Sequence, residues 1–135
     1  MRTRTWGFTP QEWTSLRDDL GRLLAEVAVQ RSTVTYGEIA RRVFHGRVSA
    51  RSRALMDLLG EADADADSRL GVMTASLVVR ADSGIPGDGY FIFAAEELGR
   101  PIADRRAFWE AEVARVWDAF APSLAGAGPD DGRTA

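Results

Sequence analysis

The sequence predicts an α+β fold, a single domain with a winged helix-turn-helix core between an N-terminal amphipathic helix and a C-terminal aromatic helix. Three observations predict it. Helical apolar periods lie near both ends, a capping box opens a helix–turn–helix pattern, and two apolar runs flank a Gly/Pro loop. We expect the domain to span residues 1–121. The tail, residues 122–135, is rich in Gly, Ala and Asp and is predicted to be disordered.

The first helix is predicted to begin at the capping box Thr9-Pro10-Gln11-Glu12. In such a box the hydroxyl caps the helix, the Glu three residues later bonds back, and Pro is favoured at the first helical position. Apolar residues then recur at the helical period, which indicates an amphipathic helix with one buried face. These residues are Trp13, Leu16, Leu20, Leu23, Leu24 and Val27.

The middle of the chain predicts two helices joined by a tight turn. Thr35 and Glu38 form a second capping box, so a helix is expected to begin there. The HGR sequence at 45–47 supplies the turn. Ser49 is the expected N-cap of the second helix, and Gly60 is its expected left-handed stop.

The second half of the chain predicts a short β-hairpin that forms the wing. Residues 61–67, EADADAD, are expected to be a solvated acidic loop. Residues 73–80, MTASLVVR, have the β-branched density of a buried strand, and two glycines and a proline force turns after them. Residues 90–93, YFIF, are the predicted return strand.

A last helix is predicted from Asp104 to Phe120. One of its faces is apolar and aromatic, and acids and arginines occupy the other. The large aromatic side chains of this face indicate that the helix is buried in the core or in an oligomer interface. The apolar face comprises Trp109, Val113, Val116, Trp117 and Phe120.

Composition excludes several kinds of chemistry. The 135-residue chain has no cysteine, which excludes disulfides, thiolate catalysis and thiolate metal sites. Its one histidine, His45, cannot build a multi-histidine metal site. All 17 basic residues are arginine, so no lysine completes a Walker loop. We therefore expect neither a metal nor a cofactor.

Hydropathy indicates a cytoplasmic protein without a membrane partner. No apolar run approaches the roughly 20 residues that a membrane-spanning helix needs. Arg2 and Arg4 are not followed by the apolar stretch of a secretory signal. The expected location is therefore the cytoplasm.

The charges are unevenly distributed along the chain. Residues 31–53 hold six of the 17 arginines and one of the 20 acids, so this stretch carries +5 and the rest −8, within a net charge of −3. Because salt screens distant charges, a basic stretch on an acidic body can still hold phosphate. The alternative interpretation is a solvated basic face, or a basic face that pairs with the acidic run at residues 61–67.

The arginines are the candidate nucleic-acid-binding residues. If the second helix starts near Ala50, Arg51 and Arg53 lie in its first turn, from which recognition helices present base-reading side chains. The other candidates lie beside that helix, where their charges would neutralise phosphates. They are Arg41, Arg42 and Arg47.

The order of motifs resembles a known family. TVTYGEIARRV, then SRAL, then SLVVRADSG and GDGY resemble the C-terminal DNA-binding domain of O6-alkylguanine-DNA alkyltransferases and alkyltransferase-like proteins. The resemblance covers residues 13–99, and its most specific block is TYGEIA. Within it, residues 61–67 stand as an insertion, and an acidic loop beside a DNA face would repel phosphate.

The resemblance implies roles for particular residues. Tyr36, with Thr35 before it, would contact the phosphate next to an extruded nucleotide. Arg53, or failing it Arg51, would fill the place that the nucleotide leaves in the stack. A base pocket would be lined by Ala75, Ser76 and Tyr90.

One departure from the family concerns its chemistry. Ala75 stands where the family has its reactive cysteine, and alanine cannot accept an alkyl group. The resemblance therefore implies a non-catalytic protein that binds double-stranded DNA and recognises damaged or modified bases.

Two alternatives stay open. One is a protein-interaction module, a regulatory or immunity-type partner on the same fold without DNA binding, which exposed aromatics near Tyr90 and Trp109 would favour. The other is an enzyme that uses the pocket near Ser76 and Tyr90.

Overall fold

The computed structural model describes residues 5–121, and the predicted disordered tail lies outside the described residues. The fold is α+β and mostly helical, which confirms the predicted class. In chain order the elements are α1 (Pro10–Val29), β1 (Val34–Thr35), α2 (Tyr36–Arg42), α3 (Arg53–Leu70), a 3₁₀ turn (Thr74–Leu77), β2 (Val78–Val79), α4 (Asp88–Glu96) and α5 (Arg105–Phe120). None of the described helices is long and apolar enough to cross a lipid bilayer.

Helix α1 forms as predicted, because its start is fixed locally. The Thr9 hydroxyl accepts a hydrogen bond from the backbone N–H of Glu12, and the Glu12 carboxylate accepts one from the N–H of Thr9. All six predicted apolar positions are buried. This face packs against α3, α5 and the 3₁₀ turn, so α1 forms one side of the core.

The connection between α2 and α3 is longer than predicted. Helix α2 begins at the expected capping box of Thr35 and Glu38. The next helix, however, is capped by Ser52 rather than Ser49, which leaves ten residues, 43–52, between the helices. The turn itself passes through His45 and Gly46, both with positive φ. The prediction that α3 begins near residue 50 is therefore wrong by about one turn.

Helix α3 runs through the predicted acidic loop. Gly60 does not end it; the left-handed cap is Gly71, with φ of 71°. The EADADAD run is helical because its alanines favour helix and because Asp63 and Ala66 continue the buried leucine face. Gly60 has a packing role instead, since a Cβ there would lie 3.2 Å from the Phe93 ring of α4.

The predicted β-hairpin wing is absent from residues 5–121. Within the first predicted strand, only Val78 and Val79 form a β-strand, which pairs in parallel with Val34 and Thr35. The predicted return strand, 90–93, lies inside α4. A short continuous apolar run fits either a strand or a helix. Here Tyr90, Phe91 and Ala94 are buried at helical spacing.

Helix α5 forms as predicted and completes the core. The Asp104 carboxylate caps it by accepting a hydrogen bond from the N–H of Ala107 at 2.9 Å. Val113 and Val116 are buried, and the predicted aromatic residues are partly buried against the same core. This helix packs on α1 and on the 3₁₀ turn, so the turn lies in the middle of the fold.

The position of the α3 start has a testable consequence. The Ser52 hydroxyl accepts from the N–H groups of Ala54 and Leu55, so Ser52→Ala removes the helix cap. We expect it to lower the free energy of unfolding by about 1 kcal/mol in urea titrations. Ser49→Ala is the matched control. The Ser49 hydroxyl accepts from the Arg51 N–H in an exposed loop, so we expect a change below about 0.5 kcal/mol. A larger loss of stability for Ser49→Ala than for Ser52→Ala would mean that Ser49 is the N-cap of α3.

Candidate nucleic-acid interface

Five exposed arginines lie on α2, the connection and the start of α3; we call this the arginine surface. It comprises Arg41, Arg42, Arg47, Arg51 and Arg53. Arg41 lies 4.0 Å from the Glu38 carboxylate, and Arg47 stacks on the Phe8 ring at 4.5 Å. Arg51 lies in the connection, and Arg53 is the first residue of α3, which corrects the prediction that both belong to the first helical turn.

The arginine surface differs from the rest of the protein in how its charges are balanced. Each of the other arginines within residues 5–121, and Arg41, has a carboxylate within 4.0 Å. Four described arginines form no ion pair with the described carboxylates, and all four lie between residues 42 and 53. They are Arg42, Arg47, Arg51 and Arg53. The alternative of a basic face that pairs with the acidic run at 61–67 therefore fails at these positions, whereas the alternative of a solvated basic face stays open.

The start of α3 adds to this unbalanced positive charge. The N-terminus of a helix carries a partial positive charge, which an acidic residue in the first turn usually compensates. Helix α3 has no acid in its first turn and has Arg53 as its first residue. The site is electrostatically suited to an external anion such as a phosphate.

A cavity of about 200 Å³ lies between α2, α3, α4 and the 3₁₀ turn. Its walls are mainly apolar and aromatic, with one fully buried carboxyl group. Ala75 and Tyr90 line it, as the resemblance implies, whereas Ser76 is completely buried outside the lining. The lining residues are Tyr36, Met56, Asp57, Leu59, Gly60, Asp63, Ala75, Gly89, Tyr90 and Phe93.

Tyr36 and Thr35 are held by the fold at the start of α2. The Thr35 hydroxyl accepts from the Glu38 N–H, so it is occupied as a helix cap. The Tyr36 ring is buried in the cavity wall, and its hydroxyl accepts a hydrogen bond from the Gly87 N–H at 3.1 Å. Burial raises the pKa of Tyr36, so the phenol is neutral. A phosphate contact by Tyr36 stays a prediction.

Ser76 and Tyr90 form a closed hydrogen-bonded pair. Their hydroxyl oxygens lie 2.5 Å apart, and the Trp109 indole N–H donates to the Ser76 carbonyl oxygen at 2.8 Å. Burial raises the pKa of Tyr90, so its phenol does not act as a base at neutral pH. The pair therefore fixes the back of the cavity and does not activate the serine.

Asp63 is the cavity residue that sequence reasoning missed. Its side chain is 2% exposed, and Oδ1 accepts a hydrogen bond from the Ala75 N–H at 2.7 Å. Burial raises its pKa to about 8; the Ala75 N–H opposes this shift, and the nearby Glu112 charge adds to it. The sequence feature that could have predicted its burial is the helical spacing of Leu55, Leu59 and Asp63, which places the aspartate on the buried face of α3.

A second buried carboxylate lies behind the cavity and anchors the 3₁₀ turn. Glu112 accepts hydrogen bonds from the Met73 N–H at 2.8 Å and from Arg100 at 3.1 Å. Arg100 also donates to Asp67 at 2.6 Å and to the Gly71 carbonyl at 3.2 Å. Burial alone would lower the pKa of Arg100, but these two acids raise it above its ordinary value. The network ties the end of α3 to α5.

A larger open groove, of about 810 Å³, lies between α1 and α3. Most of its charged side chains are in ion pairs, as Arg17 is with Glu61 at 2.8 Å and Arg69 with Asp65 at 3.0 Å. Within residues 5–121, no three histidine or acidic side chains are placed to hold a metal ion.

The buried Asp63 predicts a particular dependence of stability on pH. Its pKa in the folded protein, about 8, exceeds the ordinary value of 3.8. Its contribution to stability is therefore complete below about pH 4 and is lost as the pH rises through about 8. Asp63→Asn keeps an acceptor for the Ala75 N–H and removes the ionisation. We expect its stability relative to wild type to rise with pH, by at most roughly 1.4 kcal/mol per pH unit, in denaturation series.

The matched control for this experiment is Asp65→Asn. Asp65 lies on the same helix but is exposed and pairs with Arg69. We expect its stability difference from wild type to stay nearly constant over the same pH range. A constant difference for Asp63→Asn as well would mean that Asp63 is ionised in the folded protein.

Comparisons of the chain with protein-family models, with curated proteins and with solved structures returned no match.

Proposed function

We propose that this protein binds double-stranded DNA without catalysis and holds an extruded base, damaged or modified, in the cavity beside Tyr36, Ala75 and Tyr90. The observation that carries the proposal is that the four arginines without an ion pair all lie between residues 42 and 53, whereas the other arginines within residues 5–121 are paired. In this proposal α2, the connection and α3 act as the helix–turn–helix, and the expected location is cytoplasmic.

The electrostatic argument depends on local rather than net charge. The Debye length at physiological salt is about 8 Å, so a phosphate at the arginine surface is attracted mainly by the nearest charges. Four of its five arginines have no carboxylate partner within the described residues, and the fifth, Arg41, lies 4.0 Å from Glu38. Arginines without partners can neutralise phosphates without first breaking an ion pair, which favours a polyanionic ligand over an uncharged one.

Helical geometry connects the arginine surface to the cavity. Met56 and Asp57 line the cavity, and they lie three and four residues after Arg53 on α3. Residues at this spacing are neighbours on one face of a helix. Arg53 is therefore adjacent to the cavity rim, as an arginine that replaces an extruded nucleotide in the stack would have to be.

The side chains around the cavity support binding rather than reaction. The methyl group of Ala75 lies where the resembling family has its nucleophile. The Ser76 hydroxyl pairs with the neutral Tyr90 phenol, so no general base activates it. The remaining walls are apolar or aromatic, which suits the face of a nucleobase.

The alternative of a protein-interaction module has less support. It was favoured by the aromatic residues of α4 and α5, provided that they were exposed. Tyr90 and Phe91 are buried, and the indole N–H groups of Trp109 and Trp117 donate to the backbone carbonyls of Ser76 and Ser32. These residues form the core instead of a binding surface.

Duplex binding by fluorescence anisotropy at about 50 mM and about 200 mM salt tests the proposal. We expect wild-type affinity to fall steeply with salt. Arg53→Ala and Arg51→Ala should each weaken binding and reduce the salt slope by about one, because each removes a phosphate or stacking contact. Arg69→Ala is the control, since Arg69 is exposed but paired with Asp65.

Two outcomes would contradict the interface. Equal losses of affinity for Arg69→Ala and Arg53→Ala would show that the arginine surface contributes no more to DNA binding than other exposed arginines do. No binding by wild type at low salt would remove DNA as the partner, and a pull-down for a protein partner would follow.

The base pocket has a separate test with a duplex that contains one O6-methylguanine. We expect tighter binding than to the unmodified duplex, because extrusion of a poorly paired base costs less. Ala75→Leu adds carbon atoms to the cavity wall and should abolish this preference while binding of unmodified DNA persists. Ala64→Leu, on the exposed part of α3, is the control. A preference that survives Ala75→Leu would place the lesion outside the cavity.

A further inference from the structure

The cavity contains one polar group whose hydrogen bonding is incomplete. Asp63 forms one hydrogen bond within residues 5–121, from the Ala75 N–H to Oδ1. Its other oxygen, Oδ2, has no partner there, although the residue is 98% buried and lines the cavity. Buried polar atoms without partners are rare in proteins, and each one requires an explanation. A ligand in the cavity is such a partner.

The groups around Asp63 decide whether it donates or accepts. From α3 and α5, Asp67 and Glu112 repel a negative charge on it. The nearby cation Arg100 is already bonded to both of these acids, and Arg115 is bonded to Glu112 at 2.6 Å. From α2 and α4, the phenols of Tyr36 and Tyr90 are neutral.

The other charged groups near the cavity have partners of their own. On the rim, Asp57 accepts from the Trp6 indole N–H at 2.7 Å. At the start of α4, Asp88 pairs with Arg105 at 2.8 Å, and beyond Gly87, Arg80 pairs with Asp82 at 2.7 Å. The 3₁₀ turn contributes only backbone N–H groups to Asp63. The Ala75 N–H and the Arg100 charge favour the ionised form, but burial and the two neighbouring acids outweigh them.

Asp63 is therefore a neutral carboxylic acid at neutral pH. Because Oδ1 accepts from the Ala75 N–H, the acid proton lies on Oδ2. A neutral acid in this state has one strong donor to offer, whereas a carboxylate would offer only acceptors. A ligand in the cavity therefore needs a hydrogen-bond acceptor that faces Asp63.

The size and walls of the cavity limit what the ligand can be. At about 200 Å³ it is smaller than the roughly 300–1,000 Å³ of sites for drug-sized molecules. Tyr36, Tyr90 and Phe93 provide aromatic contacts, and Met56 lies at the exposed rim. A single planar heteroaromatic ring system fits this combination of volume and apolar walls.

We propose that Asp63 donates a hydrogen bond from Oδ2 to an unprotonated ring nitrogen of the extruded base, and that the cavity rejects bases with an N–H at that place. The proposal depends on the proposed DNA binding and adds the property by which the pocket selects its base. A base with an N–H there would leave two donors facing each other in a water-excluded site.

Adenine and its 1-deaza, 3-deaza and 7-deaza analogues, each opposite an abasic site in one duplex, test the acceptor. Adenine has acceptor nitrogens on several edges, and each analogue replaces one of them with C–H at nearly constant shape. We expect one analogue to bind about tenfold more weakly than adenine, the loss of one buried hydrogen bond. The other two should bind like adenine.

The pH dependence tests whether Asp63 is the donor. Between about pH 7 and about pH 9 the wild type should lose its preference for the acceptor-bearing base as Asp63 ionises. Asp63→Asn carries a permanent donor, so it should keep the preference across this range. Asp65→Asn, exposed on the same helix, should behave like wild type.

The possible results separate the two proposals. Equal binding of all four bases, or a preference in wild type that does not change with pH, would overturn the role of Asp63 while salt-dependent duplex binding stands. Absence of binding to every duplex at low salt would overturn both proposals, because no extruded base then reaches the cavity.

Discussion

The structure depends on two hydrogen bonds that buried carboxyl groups accept from the backbone near the 3₁₀ turn. This segment passes through the middle of the fold, where its N–H groups have no access to water and must find internal acceptors. Asp63 on α3 accepts from Ala75, and Glu112 on α5 accepts from Met73. These bonds fix α3 and α5 relative to the turn, and they hold the Ala75 methyl group in the cavity wall.

The same arrangement determines the charge of the cavity. Three acids lie close together, and Arg100 can pair with only two of them, Asp67 and Glu112. Asp63 is left without a cation, and burial then favours its neutral form. The result is an uncharged interior beside an exposed positive surface. That division matches a nucleotide, whose phosphate is charged and whose base is not.

The elements predicted correctly are those whose signals are local. The capping residues Thr9 and Thr35 fix the starts of α1 and α2, and apolar spacing identifies α1 and α5. The errors arise where tertiary packing determines the secondary structure. The alternating Ala and Asp residues of 61–67 predict a loop, but in the structure the run is helical and Asp63 accepts a hydrogen bond from the Ala75 N–H. Residues 90–93 predict a strand, but they lie within helix α4. The arginine surface could be predicted from the sequence, whereas the protonation state of Asp63 depends on residues distant in the sequence.

The helical course of residues 61–67 also changes the electrostatics of the proposed interface. As a loop, this run would have brought acids close to DNA. Along α3, Asp65 lies twelve residues beyond Arg53, about 18 Å at 1.5 Å per residue, which exceeds the Debye length. The nearer acids Asp57 and Glu61 are each hydrogen-bonded, Asp57 to the Trp6 indole N–H and Glu61 to Arg17 and Trp13. In the proposed complex, the other faces of the acidic body repel the DNA, and the arginine surface is the side that approaches it.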